Sequence, residues 1–261
     1  MPEYQPNKEP KRKKIRYSII LIVSILLIAG ITYLARKWCD FRKIYKVDKI
    51  TVSGTFILTQ PEIHKKIESH IANKNLKQIN CDTLQKSLAE LPYVEASNVV
   101  KRFPDGLDIQ IVERIPLCYL ITDDSNYVLD ARGTVLPVPD NSINTNLPLI
   151  TGKEIGSTVQ IGKKVQSPTI NLAITFLNQL KHRLPPIFAK VSEINYEENK
   201  KEYNLFLNSN TKVLLGRKKI YNRLNVLIHF MKQLPTKNDI ADYQYLDLRW
   251  KDQIVARSKH T

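Results

Sequence analysis

The chain has 261 residues, with 40 Lys+Arg against 25 Asp+Glu and a formal charge of +15. That length exceeds the roughly 150 residues of one ordinary domain, and the basic excess by itself admits a nucleic-acid partner. Its distribution argues against one: residues 1–46 hold 11 Lys/Arg and 3 Asp/Glu, so half the excess lies around one apolar stretch that explains it differently.

Tyr17 to Ala35, YSIILIVSILLIAGITYLA, is 19 residues without a charge. At 1.5 Å per residue it spans about 30 Å, the thickness of the bilayer hydrocarbon core. Lys8, Lys11, Arg12, Lys13, Lys14 and Arg16 precede it, and Arg36, Lys37, Arg42 and Lys43 follow. The more basic flank stays in the cytoplasm. The expected topology is therefore a single span, with the N-terminus inside and residues 36–261 outside. A cleavable signal peptide would have a shorter apolar region and small residues at the cut, and Thr32-Tyr33-Leu34-Ala35 is a poor site. A buried core helix would carry a polar face, yet only Ser18, Ser24, Thr32 and two Tyr interrupt this run. Residues 1–16, basic and rich in Pro, are expected to form a disordered cytoplasmic tail. Residues 36–46 form a juxtamembrane linker, with Trp38 suited to the membrane–water interface.

Val47 to Ser53 alternates as a strand and ends at Gly54. Thr59-Gln60-Pro61-Glu62 is a capping box with Pro in the first turn. It opens a helix to about Ala72, with Ile63, Ile67 and Ile71 on one face. His64 and His70 stand six apart on that helix, which suits solvated histidines better than two metal ligands. A second helix is expected from Asp82, taken as its cap, to Leu91, with Leu84, Leu88 and Leu91 inward and Pro92 as its stop. Val94–Phe103 and Leu107–Glu113 then form a hairpin. Leu107, Ile109 and Ile111 face the core, Pro104 presets a turn, and Gly106 is available for positive φ. Residues 47–113 thus read β-α-α-β-β, one sheet face packed on two helices.

Beyond Pro116 the pattern changes to short strands at Cys118–Thr122, Tyr127–Asp130 and Thr134–Pro137. Leu147 to Gly152 reads as a loop. Ser167-Pro168 caps a helix to about Leu184, with Leu172, Phe176, Leu177 and Leu180 inward, and Pro185-Pro186 ends it. Val191–Tyr196, Glu202–Leu207 and Thr211–Leu215 read as antiparallel strands. Lys218–Leu234 is a helix on Leu224, Leu227, Ile228 and Met231. Tyr243–Arg249 and Gln253–Ala256 close the chain as two strands or one bent strand.

Chemical motifs are sparse. Cys39, Cys81 and Cys118 are widely spaced and form no CxxC, so neither a zinc nor a thioredoxin-type site is indicated. A disulfide is open, with no pair singled out. Gly156 and Gly162-Lys163 suggest a phosphate loop, but Lys164 stands where Ser/Thr is required and no apolar strand precedes it. Asp123-Asp124 and Glu197-Glu198 are adjacent acids at turns, and solvated turn residues are commoner there than an acid/base pair. Arg217-Lys218-Lys219 and Lys200-Lys201 are short basic clusters suited to solvent or an anionic membrane surface. The segment Tyr243 to Trp250 is alternating and aromatic-rich. At a sheet edge its N–H and C=O groups could template another chain's strand; covered by a neighbour, it could not.

Taken in order, the short motifs resemble the FtsQ/DivIB family of bitopic bacterial cell-division proteins. Val47-Asp48-Lys49-Ile50-Thr51-Val52-Ser53-Gly54 resembles the family's opening strand and glycine. Leu91-Pro92-Tyr93-Val94 is similar to its LPWV step, with Tyr for Trp. Arg102-Phe103-Pro104-Asp105-Gly106-Leu107, Glu113-Arg114-Ile115-Pro116, Val128 to Gly133, Leu147-Pro148 with Gly152, and Asp247-Leu248-Arg249-Trp250 follow in family order. The resemblance covers about 215 residues, from the apolar stretch to Ala256. It implies an α+β fold: a single N-terminal transmembrane helix, a POTRA domain at 47–115, and a mixed β-domain at 117–256 with a largely antiparallel sheet and two helices. A tail follows at 257–261, whose Arg257 and Lys259 depart from the family's pattern. It implies no catalysis and no cofactor. The implied partners are FtsB and FtsL-type division proteins, with septal peptidoglycan synthesis recruited to the division site. The implied contact is by strand addition at Tyr245, Leu246, Asp247, Leu248, Arg249 and Trp250. An exported cell-wall enzyme, or an accessory subunit of another envelope complex, is the alternative.

Overall fold

The computed structural model describes residues 10–42, 44–122, 125–139, 146–152, 159–217, 219–235, 239–250 and 253–259. The first nine residues of the expected tail, the acidic pair Asp123-Asp124, Lys218 and positions 153–158 of the glycine-lysine stretch lie outside them. Helix α1 (Pro10–Phe41) contains the apolar run. Within Arg16–Cys39, its most apolar 18 residues have a mean hydropathy of 2.6 and no burial within the fold. A helix apolar on all sides and covered by nothing is long and greasy enough to cross a bilayer.

The first globular unit packs β1 (Lys49–Ser53), β2 (Val94–Arg102) and β3 (Gly106–Glu113) in the order β1-β3-β2. β3 pairs parallel to β1 and antiparallel to β2. Helices α2 (Gln60–Ile71) and α3 (Cys81–Leu88) cover one face. Ile63, Ile67, Leu84 and Leu88 meet Val94, Val99, Leu107, Ile109 and Ile111 in one core. α2 begins as the sequence indicates, the Glu62 carboxylate accepting the Thr59 backbone N–H at 2.7 Å and its hydroxyl at 2.8 Å. α3 does not: its cap is Asn80, whose Oδ1 accepts from Asp82 N at 2.9 Å and Thr83 N at 3.2 Å. Asp82 instead lies in the first turn, where its charge faces the positive helix end.

Gly54 sits at φ +84°, and a Cβ there would lie 2.1 Å from the Ile111 carbonyl oxygen. Only glycine fits that crossing of chains. The hairpin tip differs from expectation. Gly106 is not among the positive-φ residues, and the Phe103–Pro104 peptide is cis. Gly106 is needed for space instead, since a Cβ would lie 2.9 Å from that of Arg102.

The second unit is a nine-stranded sheet in the order β12-β11-β10-β9-β8-β7-β4-β5-β6. Its strands are β4 (Pro116–Ile121), β5 (Asn126–Asp130), β6 (Val135–Leu136), β7 (Leu149–Thr151), β8 (Val191–Glu197), β9 (Glu202–Leu207), β10 (Lys212–Gly216), β11 (Tyr243–Asp247) and β12 (Val255–Ser258). Helices α4 (Pro168–Arg183) and α6 (Ile220–Gln233) close its core over Phe176, Leu177, Leu205, Leu224 and Leu246. The fold is α+β, and within this second sheet the pairing is antiparallel except at β4–β7, β7–β8 and β10–β11. Two expectations fail in detail. The Leu147–Gly152 loop contains β7, a central strand with Ile150 buried. Pro185-Pro186 does not merely end α4; it starts a short helix, α5 (Pro185–Phe188), that buries Ile187 and Phe188.

β3 runs directly into β4 through Arg114 and Ile115, with hydrogen bonds on either side of the joint. Glu113 accepts backbone N–H bonds from Phe56, Ile57 and Leu58 at 3.0, 2.8 and 2.8 Å. Its neighbour Arg114 turns the other way and donates from Nη1 to Asp130 at 3.1 Å and Thr134 at 3.4 Å. Asp130 also accepts the Arg132 and Thr134 backbone N–H groups. Tyr93, buried with Val128 and Leu136, donates its hydroxyl to the Pro137 carbonyl at 2.6 Å. Burial pushes that hydroxyl's pKa up to about 12, so it remains a donor at any ordinary pH.

Candidate partner-binding surface at the end of the sheet

The six residues singled out in the sequence fall on β11 and the turn after it. β10 pairs with β11 in parallel and β12 pairs antiparallel on its other side. The open edge therefore belongs to β12: no strand lies beyond it among the described residues. Covering β11 has sorted its side chains. Leu246 and Leu248 are fully buried in the main core, and Asp247 is nearly so. Tyr245 is half-buried, Arg249 is exposed, and Trp250 is 53% exposed. The structure thus brings all six together, but gives outward surface mainly to Tyr245, Arg249 and Trp250.

Asp247 and Arg249 form a clasp at the strand end. Asp247 Oδ1 accepts from Arg249 N at 3.0 Å and Nε at 2.9 Å, and Oδ2 accepts from Nη2 at 2.7 Å. Burial raises the Asp247 pKa, but the Arg249 side-chain and backbone hydrogen bonds outweigh it and hold the carboxyl below the usual carboxylate range. The same bonds raise Arg249 further above its ordinary value. Glu202 on β9 adds a second carboxylate 3.2 Å from Arg249 Nη1. Gly216, at φ +84°, ends β10 beneath this arginine, and a Cβ there would lie 3.1 Å from Arg249 Cγ. A side chain at 216 would push the clasp aside.

Arg223 on α6 was not singled out in the sequence. Its Nη2 donates to the Arg249 carbonyl at 2.8 Å and Nη1 to the Trp250 carbonyl at 3.3 Å. It thereby fixes the turn that feeds β12. The available signal was a charge three residues after Ile220 and four before Leu227, on the buried stripe of an amphipathic helix. At the opposite end of β11, Thr211 Oγ1 donates to the Tyr243 carbonyl at 2.7 Å, and Phe230 meets the Tyr243 ring at 5.6 Å. Lys259 Nζ donates to the Ala241 carbonyl at 2.8 Å and Lys259 N to the Asp242 carbonyl at 2.9 Å. The basic tail is thus tied down as far as Lys259 as the continuation of β12.

Lys259 N also sets the phase of the edge. N–H groups alternate in direction along a strand, so those of Arg257 and Val255 point toward β11 while that of Ala256 points outward. Exposed Val255, Ala256 and Arg257 line this edge. The chemistry available here is backbone pairing plus aromatic contact. Among the described residues, no group of three His, Cys, Asp or Glu is placed to hold a metal ion. His64 and His70 lie on α2 in the first unit. Cys39, Cys81 and Cys118 are free, and burial pushes the Cys118 thiol up.

Comparison with known proteins agrees with this two-unit description. Residues 45–114 match the POTRA domain, FtsQ-type. Residues 119–249, half of the chain, match the family described as cell division protein FtsQ/DivIB, C-terminal. Cell division protein FtsQ of Coxiella burnetii is 25% identical over 97% of this chain and 95% of its own length. Cell division protein FtsQ of Aliivibrio fischeri is 23% identical over 94% and 88%, and cell division protein DivIB of Bacillus anthracis 23% over 94% and 86%. The family match, the near-complete coverage of these relatives and the two folded units behind one apolar helix lead to one conclusion: the chain belongs to the FtsQ/DivIB family of membrane-anchored cell-division proteins.

Proposed function

We propose that this chain is a bitopic division scaffold that works by contact rather than by turnover. Residues 1–16 form its cytoplasmic tail, 17–35 its single span and 36–46 the linker. A POTRA domain at 47–115 and a β-domain at 117–256 stand outside the cytoplasmic membrane, at the division septum. The β-domain binds FtsB and FtsL-type proteins, and the complex helps recruit and regulate septal peptidoglycan synthesis.

The observation that carries this reading is the open edge of β12. It ends a nine-stranded sheet with exposed side chains and an outward Ala256 N–H. An incoming strand would pair there through backbone groups, with Tyr245, Arg249 and Trp250 on the flanking surface and Leu246, Asp247 and Leu248 holding β11 in register beneath it. Aromatic and Arg side chains are the ones that dominate such contacts.

The test is co-purification of FtsB and FtsL with the full chain. Ala256→Pro removes the outward N–H at a position where an edge strand tolerates proline, and Trp250→Ala removes the aromatic. Both variants are expected to lose most of the bound partner while keeping wild-type circular dichroism. Undiminished co-purification with Ala256→Pro would remove strand addition from the proposal. Normal septation in cells depleted of the chain would remove the division role.

A further inference from the structure

The end of the POTRA unit nearest α1 is built as a surface in its own right. α1 is continuous to Phe41, and Ile44 N still donates to the Cys39 carbonyl at 3.2 Å. Tyr45 then closes onto the unit. Its carbonyl accepts Leu76 N at 2.7 Å, its ring meets Phe103 edge-on at 6.3 Å, and Lys77 Nζ lies 3.5 Å from its ring centroid. Lys46 bridges to Asn75, and Lys101 Nζ donates to the Lys77 carbonyl at 3.2 Å. The β2–β3 hairpin tip and the α2–α3 connection therefore share one end of the unit, packed against the chain that leaves the helix.

The charge at that end is unbalanced. Arg102 is paired with Asp108 at 2.6 Å, and Asp105 lies 3.9 Å from Lys49. Asp48 adds one more exposed carboxylate. Lys46, Lys74, Lys77 and Lys101 have no carboxylate partner among the described residues. Phe103, against Tyr45 at the same end, has 60% of its surface exposed.

Depth decides what this surface meets. With the uncharged run ending at Ala35, Phe41 lies six helical residues farther, about 9 Å. The headgroup layer occupies roughly 5–8 Å on each side of the hydrocarbon, and the screening length at physiological salt is about 8 Å. The four lysines thus begin at the outer limit of the headgroups and within one screening length of them. A basic face with a projecting aromatic at that depth fits an anionic lipid surface.

We propose that this end of the POTRA unit docks on the anionic headgroups of the leaflet from which α1 emerges, and so orients the domains on the membrane. The proposal rests on α1 as a membrane span, and it holds whichever side the domains occupy.

The experiment uses the full chain reconstituted in nanodiscs, either of phosphatidylcholine alone or rich in phosphatidylglycerol. Lysine amines are labelled with an acylating reagent and read by mass spectrometry. In the anionic discs, labelling of Lys74, Lys77 and Lys101 is expected to slow by about fivefold, while Lys232 on α6 is unchanged. The protection disappears in about 0.5 M salt, where screening is short. The Lys46→Glu, Lys74→Glu double variant, both at exposed positions, loses the protection at Lys77. Equal labelling in the two discs overturns the proposal, as does salt-resistant protection in neutral discs, which marks a protein contact instead. A chain absent from both disc fractions would overturn the span itself, a failure distinguishable from the others.

Discussion

Replacing Asp247 with Asn tests whether the clasp at the end of β11 holds the edge strand in place. Asn keeps the shape and one oxygen, but it sets an NH2 group against the Arg249 guanidinium. The carboxylate is 8% exposed and receives three hydrogen bonds from Arg249. Removing one partner of a buried pair costs about 3–5 kcal/mol. The arginine side chain is 39% exposed and keeps Glu202 at 3.2 Å, so solvent and Glu202 recover part of that. The expected loss is about 2 kcal/mol. A fragment from residue 44 onward suits the assay, since neither main core contains a residue of α1. Trp250 is then its only tryptophan and reports on this corner during urea unfolding.

The pH dependence follows from the direction of the shift. The folded carboxyl titrates below its unfolded value of about 3.9. Its contribution is therefore complete above about pH 5 and is lost as pH falls through the folded value. The gap between wild type and Asp247→Asn should stay constant from pH 8 to about 5 and shrink below about pH 4. A gap equal at pH 3 and pH 7 would refute the electrostatic account. No gap at pH 7 would show that the clasp carries no stability.

The remaining predictions separate folding from contact. Leu248→Glu places a carboxylate at a fully buried site and should cost more than about 3 kcal/mol. Trp250→Ala, at a half-exposed site, removes the indole hydrogen bond to the Asp247 carboxylate and should cost about 1 kcal/mol or less; both are read by circular dichroism in urea. Gly54→Ala meets the Ile111 carbonyl at 2.1 Å in a left-handed conformation and should destabilise the POTRA unit by about 2 kcal/mol or more. A wild-type midpoint there would show that the crossing can open. Arg114→Met keeps the aliphatic stem but strips Asp130 of its cation. It should cost about 1.5–3 kcal/mol and broaden the distance distribution between spin labels on the two units. An unchanged distribution would mean that the Tyr93 contacts suffice.

What the sequence made legible follows from how many residues carried each signal. α2, the hairpin and α6 each have several apolar positions at one period, so one exception does not hide them. β7 has three residues and follows Pro148, and parallel neighbours on both sides remove the alternation that marks a half-buried strand. It reads as a loop for that reason. Asn80 was passed over because Asp82 offers the same chemistry two residues later, and only geometry shows which oxygen reaches the free N–H groups. The proposed partner surface was half legible. Alternation points to a strand at Tyr243–Arg249, of which Tyr243–Asp247 forms one, but no property of a strand's own residues tells whether another strand lies beside it. The sequence does indicate a strand at Gln253–Ala256, but β12 is Val255–Ser258 and runs on into the tail that departs from the family's pattern. On the proposed reading, the buried Leu246, Asp247 and Leu248 would support that surface from beneath.

The junction determines whether the membrane-proximal end and the β12 edge can act on one another. β3 is the central strand of the first sheet, and it continues through Glu113, Arg114 and Ile115 into β4, an interior strand of the second. Glu113 holds three backbone donors of the first unit, while Arg114 and Tyr93 bond to the second. Two units joined through central strands, with buried bonds on both sides of the joint, resist bending more than units joined by a solvated linker. An orientation imposed on the POTRA unit at the lipid surface would therefore reach the sheet as a rigid rotation. The partner edge would then meet other membrane-anchored chains at a defined height and angle, without any conformational change in the β-domain. On this reasoning, Arg114→Met should weaken partner capture from anionic nanodiscs more than capture in detergent, where no surface sets the orientation. Equal weakening in both would assign the loss to the β-domain's own stability.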